Sequence, residues 1–546
     1  MPPGRAAPAD QDGHLLQSPR ATTFSNETVA PERSAARESA LAIAVIVGFA
    51  LTRIAFAYAL DFGVDEAYTL TVARRLAWSY FDHPPLHQWI AHFAALALGE
   101  NAAARLPFIV LFAATGWVVF ALARELFGAA AGLWATFVLN ATPFFFASAG
   151  AWIVPDGPLL LALAAAAWAL SRLFFRKRPA TWPLWLAAGF SLGLAGLSKY
   201  NAAFFPLGLL AFLALSRDHR HWLAHPAPYC AAAVALAMIA PVILWNAENG
   251  WVSLLFQSGR GAPAGHWRPA QVGAMAASEI ALLSPWIFAP LLAGLIEAGR
   301  LGLARPKDGG RRLFLLCLAL PSIVVFTLTP LWGARGLPHW AMPGWLFAYP
   351  LAGAWLAARA SVYARRIWAI GAAAALALVA AIAVAEARTG FLLSLAPSLA
   401  GADPSIESLS WSKLRQSPLL AAPPRPAFVV ATKWTEAGKI GQALGPQVPV
   451  LVFSNDPRGF AFLDDPQSFV GEDAIIVVAK KRLAESLAAV VPYFAALGEP
   501  QFMSLGRDGR DEIDLALVPA RRLLRPYPLP YPRRADSASR SEKGAP

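Results

Sequence analysis

The sequence predicts a membrane-spanning all-α bundle followed by a small α/β domain, on three observations. Of the 546 residues, 57% are apolar and only 15% charged, too hydrophobic a balance for an ordinary soluble globule. Runs such as "LAIAVIVGFALTRIAFAYAL", "LPFIVLFAATGWVVFALA" and "PLWLAAGFSLGLAGL" approach the ~20 residues that cross a bilayer core. After residue 386 the long apolar runs give way to short β-branched ones flanked by turn residues.

Residues 1–40 are polar and rich in Ala, Pro, Ser and Arg, so they read as a disordered cytoplasmic tail. They lack the short apolar core and small-residue cleavage site of a signal peptide, which makes the first span a retained anchor. Residues 41–386 contain about eleven apolar runs of membrane character, several broken by Gly and Pro. The net charge of +12 is gathered in short loops, "RLFFRKRP", "SRDHRHW", "RLGLARPKDGGRR" and "AARASVYARR". That alternation is the positive-inside pattern of cytoplasmic connections and argues against nucleic acid as the partner. The amino terminus then lies inside, and loops 61–105, 147–156, 246–278 and 331–340 lie outside with everything after about 386. Cys230 and Cys317 fall in apolar runs and predict no disulfide.

Residues 387–424 are Pro- and Ser-rich and read as a linker, 425–522 as a periplasmic α/β domain, and 523–546 as a disordered tail. Within the domain "FVVATKW", "VPVLVFS" and "DAIIVVAKK" read as strands, and "TEAGKIGQAL" and "KRLAESLAAVVPYFAAL" as helices. In loop 61–105, "DEAYTLTVARRLAWS" and "PLHQWIAHFAALALG" have helical periodicity and predict two amphipathic helices lying on the membrane surface. Pro84 and Pro85 turn the chain between them, which brings Asp65 and Asp82 to the two ends of one unit.

Acids at a hydrocarbon boundary are solvated, paired or functional. Asp65 or Glu66 can act as a general base toward an attacking hydroxyl. Adjacent helical residues diverge by about 100°, so the two cannot point at one atom. Asp156, at the start of a span, Lys199 in "LSKYNA", and Arg335 and His339 in "GARGLPHW" are placed on the same outer side. Taken singly, such an acid is commonly a solvated loop residue and such a lysine a snorkelling one. Together they suit a substrate with an anionic part and a proton to lose. Asp82, His83 and His87 include two His four residues apart, but Pro84–Pro85 between them argue against one ligand face, and no metal or other cofactor is expected. For Arg53, inside the first span, pairing with an outer acid and snorkelling outward both stand open. The Gly-rich loop around His266 and Trp267 is long enough to cover a site.

The ordered set "DEAYTL", "YFDHPPLHQWI", "ARLP", "PDGPLL", "LSKYNA", "LLWNAENGW", "LLSPW" and "GLPHW" resembles one family over about residues 40–360. It is similar to the integral-membrane glycosyltransferases of the GT-C fold that take sugars from polyprenyl phosphate, in the branch of the protein mannosyltransferases and the lipid A aminoarabinose transferase. The resemblance implies an outward-facing cavity, an undecaprenyl- or similar polyprenyl-phosphate sugar as donor, and inversion at the anomeric carbon. It implies catalytic positions at Asp65 and Asp156, with Glu66 beside the first. It aligns "FDHPP" with a Glu-Lys-Pro stretch, Asp82 at the acid and His83 at the lysine. Since histidine is largely neutral near pH 7, Lys199 is then expected to hold the phosphate, assisted by Arg335 and His339. The acceptor is left among lipid A or lipopolysaccharide, another envelope glycan, and protein, at the periplasmic face of a bacterial inner membrane. Two other classes compete: a transporter or flippase of a lipid-linked sugar, whose halves should look alike and whose charges should lie near the midplane, and an inactive relative that only binds.

Overall fold

The computed structural model describes residues 29–531, apart from 264, 305, 335, 396, 397, 399–402 and 424. The expected tails at 1–28 and 532–546 lie outside the described residues, as does Arg335. The membrane half begins with α1 (Val29–Ala59), which starts inside the stretch expected to be disordered. After it come α2 (Val64–Ala73), α3 (Leu86–Leu98), α4 (Leu106–Phe127), α5 (Ala129–Asn140), α6 (Pro143–Ala151), α7 (Asp156–Phe175), α8 (Thr181–Ser198) and α9 (Phe204–Leu215). Next are α10 (Pro226–Glu248), α11 (Val252–Gly261), α12 (Pro269–Leu283), α13 (Pro285–Ala304), α14 (Pro306–Leu328), α15 (Met342–Trp345), α16 (Ala348–Arg359) and α17 (Val362–Thr389).

Among the described residues seven of these helices are long and apolar enough to cross a membrane, or eight if α5 and α6, bent by 76° at their junction, count as one broken span. Of the expected eleven runs, some form helices shorter than this, such as α9 and α16 at 12 residues each, against the ~20 residues of a full crossing. Among the described residues Arg53 pairs with no acid, and it does not snorkel. Its guanidinium is buried, donates to the Phe146 carbonyl (3.1 Å) and Asn140 Oδ1 (2.9 Å), and lies over the Phe112 ring at 4.4 Å. It thus satisfies polar groups that the α5–α6 break would otherwise leave bare in an apolar interior.

Both predicted helices of the first loop form, as α2 and α3, and α2 is covered by the C-terminal domain. Residues 66–73 are buried beneath α20 (Trp434–Leu444) of the C-terminal domain, which α18 (Phe391–Leu395) and α19 (Pro418–Ala421) precede. Two glycines permit that crossing: a Cβ on Gly438 would sit 2.9 Å from Tyr68 Cα, and one on Gly441 2.5 Å from the Thr71 side chain. Lys439, buried on the same helix, donates to the carbonyls of Phe62 and Leu409. Its pKa falls to about 8, chiefly from burial. The stretch between α17 and the sheet contains short 3-10 turns, and is tied down by Arg507, which bonds Asp403 (2.6 Å), Ser405 (2.7 Å) and the Glu386 carbonyl (2.8 Å).

The domain's sheet has six strands: β1 (Phe428–Ala431), β2 (Val450–Val452), β3 (Ala474–Ala479), β4 (Phe494–Leu497), β5 (Gln501–Arg507) and β6 (Arg510–Leu523). Their order is β2-β1-β3-β6-β4, with β5 also on β6; β1 pairs in parallel with β2 and β3, and the pairings of β6 are antiparallel. The first three strands coincide with the three expected runs. The run expected as one long helix is split: α21 (Leu483–Val490) ends early and "FAAL" becomes β4. The β5–β6 hairpin was not anticipated, although Asp508–Gly509, both at positive φ (48° and 75°), is the Asp-Gly pair that favours a tight hairpin turn. Buried side chains fill both faces, α20 covering one and α21 the other. The described part of the expected tail is packed, with Tyr527 on Phe453 (4.8 Å) and Tyr531 on Phe81 (4.5 Å).

Candidate active site

A cavity of about 610 Å³ lies where the α2 end of the bundle meets the C-terminal domain. It gathers Asp65, Asp82, His83, Asp156, Lys199 and His339, which are spread along nearly 300 residues of sequence. Of the remaining expected residues, Glu66 does not line it and Arg335 lies outside the described residues.

Asp65 and Glu66 occupy the first turn of α2, where carboxylates complement the helix dipole. A rotation of about 100° between adjacent helical positions then separates their fates. Glu66 points inward and is buried, with both oxygens on the Arg105 guanidinium at 2.6 and 2.7 Å. It also accepts from the backbone N–H groups of Gly63 and Ile153, both at 3.1 Å. Arg105 in turn donates to the carbonyls of Ala57, Leu60 and Asp61. Glu66 is therefore a structural clamp that joins α2 to the end of α1, and its expected catalytic role is corrected. Asp65 opens into the cavity and makes no hydrogen bond or ion pair among the described residues. Burial raises its pKa above the usual 3.8, Arg458 opposes this, and Glu66 adds to it. A carboxylate with free lone pairs and a raised proton affinity is suited to take a proton from a bound hydroxyl.

Asp156 opens α7 and chelates the Lys199 ammonium with both oxygens at 3.0 Å, the pair being buried. Lys199 thus lines the cavity as one half of an ion pair with Asp156. Arg260 from α11 lines the same cavity, lies over the Trp340 ring at 4.7 Å, and makes no salt bridge among the described residues. It is the better-placed cation for an anionic ligand, and its periodicity on an ordinary amphipathic helix supplied no signal.

Asp82 is held by the Tyr68 hydroxyl and by Arg458 at 3.3 Å. Arg458 stacks on Trp434 at 3.8 Å. Both residues come from the C-terminal domain and were not anticipated, because nothing local in "NDPRGF" or "TKWTEA" marks a site nearly 400 residues away. Burial of Asp82 raises its pKa to about 6, against the opposing pull of Arg458 and Tyr68. The folded carboxyl keeps its proton up to about pH 6, whereas an unfolded Asp loses it near 3.8. Over that window the folded state binds more protons, so this group's contribution to stability falls as pH rises. The Tm of wild type, followed from about pH 4 to pH 7, should contain a downward component that Asp82→Asn removes. Parallel profiles for the two proteins would show that Asp82 does not titrate there.

The cavity histidines are neutral. Burial first, then Lys199, pushes His83 well below its usual range; the same two causes bring His339 to about 4, and burial brings His87 to about 3. His87 and Gln88 are each 1% exposed, yet among the described residues His87 Nδ1 and Gln88 Oε1 have no partner, nor has His83 Nδ1. Buried polar atoms without partners are costly, and these line a cavity where a hydroxylated ligand would satisfy them. Among the described residues no group of three His, Cys, Asp or Glu is placed to hold a metal, so Asp82, His83 and His87 do not form such a site.

Residues 82–245 match the family model of the dolichyl-phosphate-mannose-protein mannosyltransferases. No curated protein sequence matches the chain. The crystal structure of ArnT from Cupriavidus metallidurans bound to undecaprenyl phosphate superimposes with a TM-score of 0.61 at 16% identity, covering 87% of this chain and 97% of that one. The apo form of the same protein gives 0.59 at 17% identity with the same coverage. Family model and fold agree: the relatives of this chain, in sequence and in shape, are membrane glycosyltransferases of the GT-C kind.

Proposed function

We propose that this chain transfers a sugar, with inversion, from a polyprenyl-phosphate donor to an envelope acceptor at the periplasmic face of a bacterial inner membrane. The observation that carries the reading is the unpartnered Asp65 carboxylate facing one cavity with the unpaired Arg260 guanidinium. The bound undecaprenyl phosphate of the ArnT structure supports the donor class.

The step balances simply. The acceptor oxygen bonds to the anomeric carbon as the carbon–phosphate oxygen bond breaks. The hydroxyl proton passes to Asp65, and the polyprenyl phosphate departs as a stable anion needing little protonation. A hydroxyl is a poor nucleophile, so the base matters; a departing phosphate needs positive charge, which Arg260 supplies as a planar fork. Asp156 and Lys199 hold each other and shape the wall between α7 and α8. The neutral His83, His87 and Gln88 meet sugar hydroxyls.

Membranes given an undecaprenyl-phosphate sugar should yield a glycosylated acceptor of inverted configuration, read by mass spectrometry and NMR. Movement of the intact lipid-linked sugar without bond cleavage would establish the flippase reading instead. In a background lacking Cys230 and Cys317, a cysteine at the position of Asp61 should react with a membrane-impermeant thiol reagent on cells whose inner membrane is accessible only from the periplasm. Labelling only from the cytoplasmic side would reverse the orientation. Arg260→Gln should raise the KM for donor about 10–100-fold, the loss of one charge-assisted contact worth about 1.5–3 kcal/mol. An unchanged KM would take the phosphate away from Arg260.

A further inference from the structure

The C-terminal sheet contains a crevice that is separate from the cavity around Asp65. The chain leaves β1 through α20 on one face of the sheet to reach β2, then returns past β1 to β3 and leaves it toward α21 on the other face. The connections leaving β1 and β3 therefore diverge. In open α/β sheets such a switch of direction opens a crevice at the carboxyl ends of the strands, and ligands bind there. In this domain a cavity of about 910 Å³, lined by Lys433 after β1 and by Ala479 and Lys480 at the end of β3, occupies that position, and a second of about 580 Å³ adjoins it at Lys433, Thr435 and Arg482.

The smaller cavity lies between the ends of β1 and β2 and the side of α21, and its lining is distinctive. It combines the rings of Trp434 and Tyr527 with the hydroxyls of Thr435, Ser454 and Ser486 and the amide of Asn455. Trp434, one face of it under Arg458, and Tyr527, stacked on Phe453, stand beside short donor–acceptor groups, a combination that matches a pyranose with its apolar C–H face and rim of hydroxyls. A lipid chain would require an apolar lining. A polyanion would require several unpaired cations, but of the two basic residues on this lining Arg482 is held by Glu436, and Lys433, without an ion pair among the described residues, shares the lining with the acids Asp456 and Glu485.

Position joins this crevice to the reaction. Trp434 lines both the crevice and the Asp65 cavity. Asp456, on the crevice side, shares Arg458 with Asp82 on the cavity side, at 3.6 and 3.3 Å. We propose that the carboxyl ends of β1 and β2 bind the acceptor, and that the acceptor is a glycan, one of its neutral saccharide units resting in the crevice while its neighbour presents a hydroxyl to Asp65. This inference rests on the glycosyl-transfer reading and deepens it by naming the acceptor class.

The full-length protein in detergent, applied to an array of bacterial envelope oligosaccharides and unglycosylated peptides, provides the test. Wild type should retain saccharides, and Asn455→Ala and Tyr527→Ala should each weaken retention about tenfold, the loss of one hydrogen bond or ring contact. Binding of undecaprenyl phosphate, measured on the same samples, should be unchanged. Asn455 is solvent-exposed, so its replacement does not threaten the fold even if removal of the Tyr527 ring does. Retention of no saccharide, equal retention by wild type and Asn455→Ala, or retention of peptides instead would overturn the proposal. If wild type fails to bind undecaprenyl phosphate, the donor reading fails with it; if the lipid binds and saccharides do not, only the acceptor site is lost.

Discussion

Asp65→Asn is expected to lower sugar transfer by about 10²–10⁴-fold, the contribution of a positioned general base, without loss of folded protein. The substitution keeps the shape of the side chain and removes its proton affinity. Because Asp65 bonds no other described residue, its replacement breaks no internal contact. Donor binding should therefore persist while turnover falls. The raised pKa adds a second signature. The base must be ionised to act, so wild-type turnover should rise with pH through a value above the ordinary 3.8, and the residual turnover of the variant should lack that limb. Transfer by Asp65→Asn at the wild-type rate, with donor in excess, would remove Asp65 from the mechanism.

One residue further along, the opposite outcome is expected. Glu66→Ala strands the buried Arg105 guanidinium beside an apolar core, and leaves the N–H groups of Gly63 and Ile153 without their acceptor. Breaking one partner of a buried pair costs about 3–5 kcal/mol, comparable with the whole stability margin of many domains. The prediction is a marked fall in Tm and in membrane yield, and activity lost only in proportion to folded protein. Normal yield and Tm with abolished turnover would restore Glu66 to catalysis. The two neighbours thus separate a chemical role from a structural one by which quantity falls first.

Much of this protein was legible locally. Apolar length marked the principal spans, and periodicity located α2 and α3 around Pro84–Pro85. The β-branched runs "FVVA", "VLV" and "AIIVVA" marked the parallel strands. Charges that stand out against a hydrocarbon background pointed to Asp65, Asp82, Asp156 and Lys199, and all four reach one cavity. Less legible were features whose signal is distributed. Short apolar helices broken by Gly and Pro blur the count of spans, because hydropathy registers composition before length. The β5–β6 hairpin is marked locally only by Asp508–Gly509.

The amino-acid sequence by itself determined the class of molecule, the order of its elements and the acids and lysine that could do chemistry, because these follow from solvent preference and local backbone geometry. Only the tertiary structure decided which of two adjacent carboxylates met Arg105, that Lys199 was taken by Asp156, and that Arg458 and Trp434 close the cavity from the far end of the chain. Those outcomes depend on partners brought together by packing across hundreds of residues, and the interaction of two side chains is set by distance and burial, which no local pattern encodes.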